Sequence, residues 1–473
     1  MSVFLQSGRL PAIWRIDRRS FVFGAATAVT GVVSGCSQLS SQPEADIQLV
    51  AGAGEARLLR GSQAATTIWA YGGRVPGREI RIRQGQRLRA SVKNRLDQET
   101  TVHWHGIRVP NAMDGVPHLT QKPIGVGESF LYDFVAPDAG TYWYHPHHNS
   151  SGQVGRGLYG PLIVEEPEPI MVDRDITWLL GDWRLLEDGQ ISDDFGNMHD
   201  SMHAGRIGNT VTINGRPPEP LAVRAGERIR LRLINAANAR IFGLEFSGHR
   251  PQIIALDGQP AMPHEPDGKL LLGPAMRIDL ILDMVGKPGA HFIINDTFYK
   301  GLEYPLTTID YQADVLRSEL LATPIRLHPN PIPEPQMAQA SRHEVLFSGG
   351  MSADNPMDMD MVRTGMVWAI NGVAASTHVH KPMMRLPRGQ TAVLNLNNNT
   401  AWWHPIHLHG HSFRVISRNG KPTAHGEWQD TVLMPPHETA EIAFVADNPG
   451  DWMFHCHVLE HQAAGMMATI RVA

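Results

Sequence analysis

Residues 455–466 read His-Cys-His-Val-Leu-Glu-His-Gln-Ala-Ala-Gly-Met, and this stretch restricts the chain to few kinds of protein. It combines a thiol at Cys456, an imidazole at His461 and a thioether at Met466. Sulfur and nitrogen ligands with a weak axial methionine are typical of a blue-copper electron-transfer centre. The stretch therefore predicts a mononuclear metal site near the C-terminal end of the sequence.

A second metal site is predicted directly behind the first, because His455 and His457 flank Cys456. Successive side chains of a β-strand point to opposite faces, so these two imidazoles face away from the thiol. Metal on both faces of one strand suits the passage of electrons from one site to the other.

His-x-His pairs occur at four places, and strand alternation puts both members of a pair on one face. The pairs are His103/His105, His145/His147, His407/His409 and His455/His457. His404 precedes the third pair and is free to join Cys456, His461 and Met466. The sequence thus supplies eight imidazoles for a cluster and four ligands for the mononuclear site.

Internal repetition indicates how the four pairs meet. The segments Arg83-Gln-Gly-Gln, Arg224-Ala-Gly-Glu and Pro387-Arg-Gly-Gln each precede an alternating run, with Asn at the ninth position after the Gly. In the first and third copies a His-x-His pair begins eighteen residues after that Gly, whereas the middle copy has none. A repeat of this length is a domain, since solenoid repeats run about 20–50 residues. We expect domains 1 and 3 to meet at the eight histidines and domain 2 to act as a spacer.

Composition and length predict an all-β protein. A chain of 473 residues is too long to fold around a single hydrophobic core. Short runs of alternating apolar and polar residues, such as 228–235, are separated by Gly and Pro, as in β-sandwiches. One short helix is predicted at 198–204. The net charge of −5 argues against nucleic acid and anionic membranes as partners.

Four motifs in order closely resemble those of three-domain multicopper oxidases of the bacterial laccase and copper-efflux-oxidase type. They are His-Trp-His-Gly at 103–106, His-Pro-His at 145–147, His-Pro-Ile-His-Leu-His-Gly at 404–410 and the stretch at 455–466. The resemblance covers nearly everything after residue 46. It implies three consecutive cupredoxin-like Greek-key β-sandwich domains and four copper ions: one type 1, one type 2 and two type 3.

The resemblance also implies which residues hold which copper, a division that spacing alone does not give. The type 1 copper would be held by His404, Cys456, His461 and Met466, the type 2 copper by His103 and His407, one type 3 copper by His105, His145 and His457, and the other by His147, His409 and His455. We expect domain 1 at 46–168, domain 2 without ligands at 169–321, a Pro-rich linker at 322–339 and domain 3 at 340–473.

The implied activity is one-electron oxidation of a small phenolic or aromatic donor, or of a metal ion, coupled to four-electron reduction of dioxygen to water. Electrons would arrive through the edge of an exposed ligand histidine and pass through Cys456 to His455 and His457. Two alternatives stay open, namely oxidation of Cu(I) for copper tolerance and sequestration of copper with incidental turnover. Relatives of this type imply a monomer.

Dioxygen reduction consumes protons, so acidic residues near the cluster matter. Asp114 matches an acidic position that the family keeps near the type 2 copper, and the Asp-Gly dipeptide it begins is also a strong turn signal. Many bacterial relatives carry Glu directly after the last type 1 histidine, where this chain has Gln462, which cannot carry a proton in the same way.

Methionines are concentrated just before domain 3. Met351, Met357, Met359, Met361 and Met366 are interleaved with aspartates. Thioethers are soft ligands for Cu(I), although methionine also serves as an adaptable apolar residue in ordinary loops. The stretch is a candidate for cuprous binding.

Residues 1–35 are predicted to be an export signal. Arg18-Arg-Ser-Phe-Val is a twin-arginine pattern followed by an apolar run too short for a permanent membrane span. Val33-Ser-Gly-Cys36 resembles a lipobox, and the alternative is a small-residue cleavage site with an incidental cysteine. We expect a periplasmic protein, with a membrane tether if Cys36 is lipidated.

Overall fold

The computed structural model describes residues 45–61, 64–351, 363–375 and 381–473. The predicted export signal, the predicted lipobox at Cys36 and most of the methionine-rich stretch lie outside the described residues. No helix in the described ranges is both long and apolar enough to span a bilayer.

The first eight strands form one sandwich. They are β1 (Ala45–Ala56), β2 (Thr66–Tyr71), β3 (Ile80–Arg83), β4 (Arg87–Asn94), β5 (His103–His105), β6 (Ser129–Val135), β7 (Gly140–His145) and β8 (Gly160–Glu165). Their two sheets have the orders β2-β1-β4-β6 and β3-β8-β7-β5. Side chains from both sheets, such as Leu49, Tyr132 and Trp104, meet in one buried core.

The next eleven strands form a second sandwich. They are β9 (Arg174–Trp183), β10 (Thr210–Ile213), β11 (Leu221–Ala225), β12 (Arg228–Asn235), β13 (Phe242–Phe246), β14 (Gln252–Leu256), β15 (Gln259–His264), β16 (Leu270–Leu272), β17 (Arg277–Asp283), β18 (His291–Asp296) and β19 (Tyr304–Val315). The sheets are β10-β9-β12-β17-β14-β15 and β11-β19-β18-β13-β16.

The last strands form a third sandwich. They are β20 (Ser341–Gly349), β21 (Trp368–Ile370), β22 (Met384–Leu386), β23 (Thr391–Asn398), β24 (His404–Leu408), β25 (Phe413–Arg418), β26 (Lys421–Pro422), β27 (Trp428–Gln429), β28 (Thr431–Met434), β29 (Thr439–Val445), β30 (Gly450–Cys456) and β31 (Met467–Val472). One sheet is β21-β20-β23-β29-β25-β26, with β27 also on β25, and the other is β22-β31-β30-β24-β28.

Short helices lie between strands. They are α1 (Ser150–Gly155), α2 (Met198–Met202) and α3 (Leu459–Ala463), with 3-10 turns at Asn111–Met113 and Met337–Gln339. The predicted fold class, all-β with three consecutive cupredoxin-like Greek-key sandwiches, is confirmed, and so is the predicted helix near 198–204.

The three repeated segments adopt one local structure. Gly85, Gly226 and Gly389 all have positive φ at the turn before a strand, where glycine has no steric penalty. Each following strand ends at a fully buried asparagine, Asn94, Asn235 or Asn398. In every copy the side-chain amide donates to two loop carbonyls and the side-chain oxygen accepts an amide two residues on. This asparagine therefore closes the same loop in each sandwich.

Substitution of this asparagine tests its role. Asn398→Ala should lower the unfolding free energy by about 1–3 kcal/mol, because the half-buried carbonyls of Trp402 and Pro435 lose their donor. Asn397→Ala, one residue earlier on the exposed face of β23, should change it by less than about 0.5 kcal/mol. Denaturant unfolding of the copper-free protein measures both. Equal losses of unfolding free energy in the two variants would show that the Asn398 side-chain amide does not hold this loop.

Candidate metal centre

Three of the four predicted mononuclear ligands converge in domain 3. Cys456 Sγ lies 3.5 Å from His404 Nδ1 and 3.7 Å from His461 Nδ1, and the two nitrogens are 3.2 Å apart. Transition-metal bonds of about 2.0 Å to nitrogen and 2.3 Å to sulfur fit inside such a triangle. Met466 is fully buried in the same core, and its carbonyl accepts a hydrogen bond from the Cys456 amide.

Hydrogen bonds fix both imidazoles with Nδ1 lone pairs toward the thiol. His404 Nε2–H donates to Thr400 Oγ1 at 2.8 Å, since that hydroxyl already donates to Asn398. His461 Nε2–H donates to the carbonyl of His203 at 2.6 Å. Burial lowers the pKa of His461 to about 3 and that of His404 well below its ordinary value, so both rings are neutral ligands at pH 7. Burial raises the pKa of the Cys456 thiol, so metal binding there must release a proton.

The expectation that one ligand histidine is exposed is wrong for this chain. His404 and His461 are both 0 % exposed. The ring of Trp368 covers His461, with centroids 4.2 Å apart, and the His203 carbonyl of domain 2 occupies the outward Nε2. An electron donor would therefore contact the protein atoms that surround His461 rather than the edge of its ring.

The eight imidazoles of the four pairs meet between domains 1 and 3, and all are buried. The strand register makes the two halves equivalent, because His103 lies opposite His145 and His407 lies opposite His455. Rings from the two domains then interleave. His103 and His409 have centroids 4.0 Å apart, and His105 and His407 are stacked at 3.8 Å.

Unprotonated nitrogens face one another in this cluster. His409 donates from Nδ1 to Asp114 and His455 donates from Nδ1 to the Cys456 carbonyl, which leaves two Nε2 lone pairs 3.1 Å apart. His145 donates from Nδ1 to the Pro146 carbonyl, and its Nε2 lies 3.4 Å from both His105 Nδ1 and His457 Nε2. Facing lone pairs repel in a dry interior, so this donor set fits metal cations.

Two further nitrogens point into the cluster. His103 donates from Nδ1 to the Asp114 carbonyl and His407 donates from Nδ1 to the Asp430 carbonyl. Their Nε2 atoms are buried and have no hydrogen-bond partner in the described part of the chain. Burial lowers the pKa values of His105, His145, His407, His409 and His457.

Distances alone group the eight rings in more than one way. His147, His409 and His455 form one compact set, but His103 belongs both with His407 and His409 and with His105 and His145. The assignment of these histidines to individual copper ions therefore stays a prediction.

Asp114 lies in a turn and also contacts histidines of the cluster. It follows the 3-10 turn at 111–113 and precedes Gly115, whose φ is positive. Its carboxylate is 0 % exposed and accepts from His409 Nδ1 at 3.0 Å, with His103 Nδ1 at 3.2 Å. Both interpretations of Asp114, as a turn residue and as an acidic group at the cluster, therefore describe it.

A second carboxylate at the cluster, Asp430, has no sequence motif. Its Oδ1 accepts from His105 Nε2 at 3.2 Å and its carbonyl accepts from His407. Arg277 donates to both carboxylate oxygens of Asp430. Burial opposes ionisation, but Arg277 outweighs it and holds the pKa of Asp430 below its ordinary value.

Domain 2 completes this arrangement through Asp257. The Asp257 carboxylate accepts from the backbone amides of Arg277, Asp430 and Thr431. Burial, with the nearby charge of Asp430, raises the pKa of Asp257 to about 7. Asp257, Arg277 and Asp430 form what we call the arginine clamp. The expected spacer role of domain 2 is therefore too narrow, because this domain orients two cluster histidines from outside the cluster.

Glu460 and Gln462 lie on α3 and are both buried. Glu460 accepts from the Arg206 amide at 3.0 Å and from Asn238 Nδ2 at 3.1 Å, both in domain 2. Glu460 is therefore bonded to domain 2 rather than to the triangle of His404, Cys456 and His461.

Family models described as multicopper oxidase match residues 54–169, 174–318 and 350–473, which together are most of the chain.

Individual relatives agree with the family models. The chain is 34% identical over 451 residues to "Multicopper oxidase MmcO" of Mycobacterium tuberculosis, covering 87% of this chain and 84% of that protein. A multi-copper oxidase structure from Pseudomonas thermotolerans has a TM-score of 0.83 at 36% identity, covering 92% of this chain and all of that one. A Campylobacter jejuni multicopper oxidase, described as a metallo-oxidase, has a TM-score of 0.76 at 28% identity, covering 90% and 91%.

Replacement of Arg277 by an uncharged residue should weaken copper binding at the eight-histidine cluster more than at the mononuclear site. Arg277→Met leaves the buried charge of Asp430 without its partner, which costs about 3–5 kcal/mol of unfolding free energy. We expect loss of copper from the eight-histidine cluster while the absorption of the mononuclear site persists. Copper analysis and visible spectroscopy measure the two effects.

Arg250→Met is the matched control. Arg250 pairs with Glu265 at the surface and its side chain is 80% exposed, so the unfolding midpoint and the copper content should not change. Full copper content in the Arg277 variant would contradict a positioning role for the clamp.

Proposed function

The chain belongs to the multicopper oxidase family, whose enzymes oxidise a reducing substrate with dioxygen, and we propose that its buried ligand set holds four copper ions. The type 1 ion is assigned to His404, Cys456, His461 and Met466, the type 2 ion to His103 and His407, and the type 3 pair to His105, His145 and His457 and to His147, His409 and His455. The facing lone pairs of His409 and His455 at 3.1 Å, and of His145 and His105 at 3.4 Å, are the observation that carries this proposal.

Bound copper would supply one-electron chemistry at the mononuclear site and the reduction of dioxygen to water at the cluster. The chain itself supplies the connection. Cys456 lies in the core of domain 3, while its covalent neighbours His455 and His457 contact histidines of domain 1. The path between the two sites is therefore one peptide step on each side of the thiolate.

Two buried carboxylates hold the cluster imidazoles in their tautomers. Asp114 fixes His409, and Asp430 fixes His105 and His407, in each case from the nitrogen that faces away from the partner rings. A carboxylate hydrogen-bonded to a ligand imidazole raises its basicity and fixes its orientation. We further propose that Asp114 passes protons to the cluster, because its buried carboxylate contacts two cluster imidazoles.

The outer face of the type 1 site favours a metal-ion donor over an aromatic one. Met351 donates from its amide to the Met202 carbonyl, and its own carbonyl accepts from Trp402 Nε1. Met202 adjoins His203, which caps His461. At the other end of the methionine-rich stretch, the Met366 methyl lies against Gly465, next to Met466.

Both ends of the stretch are thus anchored beside the type 1 ligands. Thioethers at this place suit the soft ion Cu(I). We therefore infer that Cu(I) is the physiological donor, and that phenolic oxidation is a secondary activity of the same face.

Export and assembly complete the proposal. The twin-arginine pattern supports delivery to the periplasm, with Cys36 as the lipid anchor, and the family supports a monomer. Domains at 46–168, 169–321 and 340–473, joined by the linker at 322–339, are the proposed units.

Replacement of the thiolate separates the two sites. Cys456→Ser should abolish the intense absorption near the red end of the visible spectrum and the oxidation of all donors, because a hydroxyl is a poor copper ligand. Metal analysis should find one copper ion fewer per chain, with the cluster copper retained. Donor oxidation at the normal rate would contradict the assigned path.

Donor choice is tested by oxygen uptake with Cu(I) and with a dimethoxyphenol. Replacement of Met357, Met359 and Met361 by Ser should raise the KM for Cu(I) by about tenfold or more and leave the KM for the phenol unchanged. The control is Met171→Ser, an exposed methionine of domain 2. Unchanged Cu(I) kinetics in the triple variant would favour the aromatic donor instead.

A further inference from the structure

Two histidines and a glutamate meet at the junction of domains 2 and 3, away from the twelve ligand residues. His264 ends β15 of domain 2, while His425 and Glu427 precede β27 of domain 3. The rings of His264 and His425 are stacked with centroids 3.9 Å apart, and His264 Nε2 lies 3.8 Å from Glu427 Oε1. They are brought together by the fold, since 161 residues separate the two histidines in the sequence.

The hydrogen bonds of His264 leave a lone pair aimed at the carboxylate. Its Nδ1–H donates to the Met262 carbonyl at 2.7 Å, so Nε2 carries no proton in the neutral ring. Nε2 and the Glu427 oxygen are then two acceptors that face each other. Their separation of 3.8 Å is too long for a hydrogen bond. A cation between them would remove the repulsion.

This arrangement repeats the donor pattern of metal-binding histidines. A ligand imidazole usually donates its other ring N–H to a backbone carbonyl or carboxylate, which fixes the tautomer. The backbone beside Glu427 is also held, because the Glu427 carbonyl accepts from the Val415 amide at 3.1 Å and the Gly426 carbonyl accepts from Arg414 at 2.6 Å. The His264 imidazole is therefore held in one orientation, and the backbone that carries Glu427 is fixed.

The nearby cation does not satisfy the carboxylate. Arg414 is paired with Glu334 and stacks over the Trp428 ring at 4.6 Å. The side chains of His264 and Glu427 are only 15% and 16% exposed, so water screens them little. His425 is exposed and borders a cleft of about 190 Å³ that opens to solvent.

We propose that His264, His425 and Glu427 bind one borderline divalent cation, such as Zn²⁺ or Cu²⁺, at a site separate from the oxidase centres. Two imidazoles and one carboxylate are the donors that such ions prefer. Binding requires the exposed His425 ring to turn out of the stack, because an imidazole lone pair lies in the ring plane. The bound ion would join domain 2 to domain 3.

The test uses copper-replete holoenzyme, whose oxidase sites are filled, titrated with Zn²⁺ in equilibrium dialysis with metal analysis. We expect one Zn²⁺ ion per chain that Glu427→Gln and His425→Phe bind at least tenfold more weakly. His425→Phe keeps an aromatic ring in the stack and removes the ligand nitrogen, so its thermal unfolding midpoint should equal that of the parent without Zn²⁺.

His328→Ala is the matched control, since His328 lies 3.2 Å from Glu168 and no other imidazole of the described residues stacks on it. It should bind Zn²⁺ like the parent. Parent-like Zn²⁺ binding by His425→Phe and Glu427→Gln would overturn the proposal. So would an absence of Zn²⁺ binding to the parent, which would leave a proton on His264 as the cation between the two acceptors.

Discussion

Repulsion between buried lone pairs is the constraint on which the structure depends. The eight buried imidazoles bring acceptor nitrogens close together where domains 1 and 3 meet, and His409 Nε2 and His455 Nε2 are only 3.1 Å apart. A dry interior does not tolerate this arrangement unless cations lie between the nitrogens. Six of the eight rings donate their other ring N–H to a carbonyl or carboxylate, and the fold supplies those acceptors from strand ends, a turn and a neighbouring domain. The hydrogen bonds that surround the cluster therefore fix the ring orientations on which copper binding depends.

The three sandwiches divide this work unequally. Domains 1 and 3 present His-x-His pairs from equivalent strands, and the matched register of β5 with β7 and of β24 with β30 makes the two halves complementary. Domain 2 carries none of the predicted ligands but contributes Arg277 and Asp257 to the surroundings of the cluster and the His203 carbonyl to the mononuclear site. A domain without ligands thus sets the charge and orientation of ligands held by its neighbours.

The sequence was sufficient for the all-β class, the three-fold repeat and the location of both sites, because alternation and His-x-His spacing are local signals. It could not show Asp430, Arg277 or Asp257, since a buried ion pair between domains leaves no motif and its members look like ordinary strand residues. The burial of His461 was missed for a related reason. The acceptor that covers it is a backbone carbonyl, which any residue at position 203 would provide. Asp114 was ambiguous because one residue serves as both turn and hydrogen-bond acceptor.

The wide sequence separation of the cluster ligands has a consequence for biogenesis. The cluster histidines run from His103 on β5 to His457, directly after β30, whereas all mononuclear ligands belong to domain 3. A translation product that ends before residue 457 lacks part of the cluster, so the cluster cannot be completed before this part of domain 3 has been synthesised. A metal donor that acts on a shorter nascent chain could load neither centre.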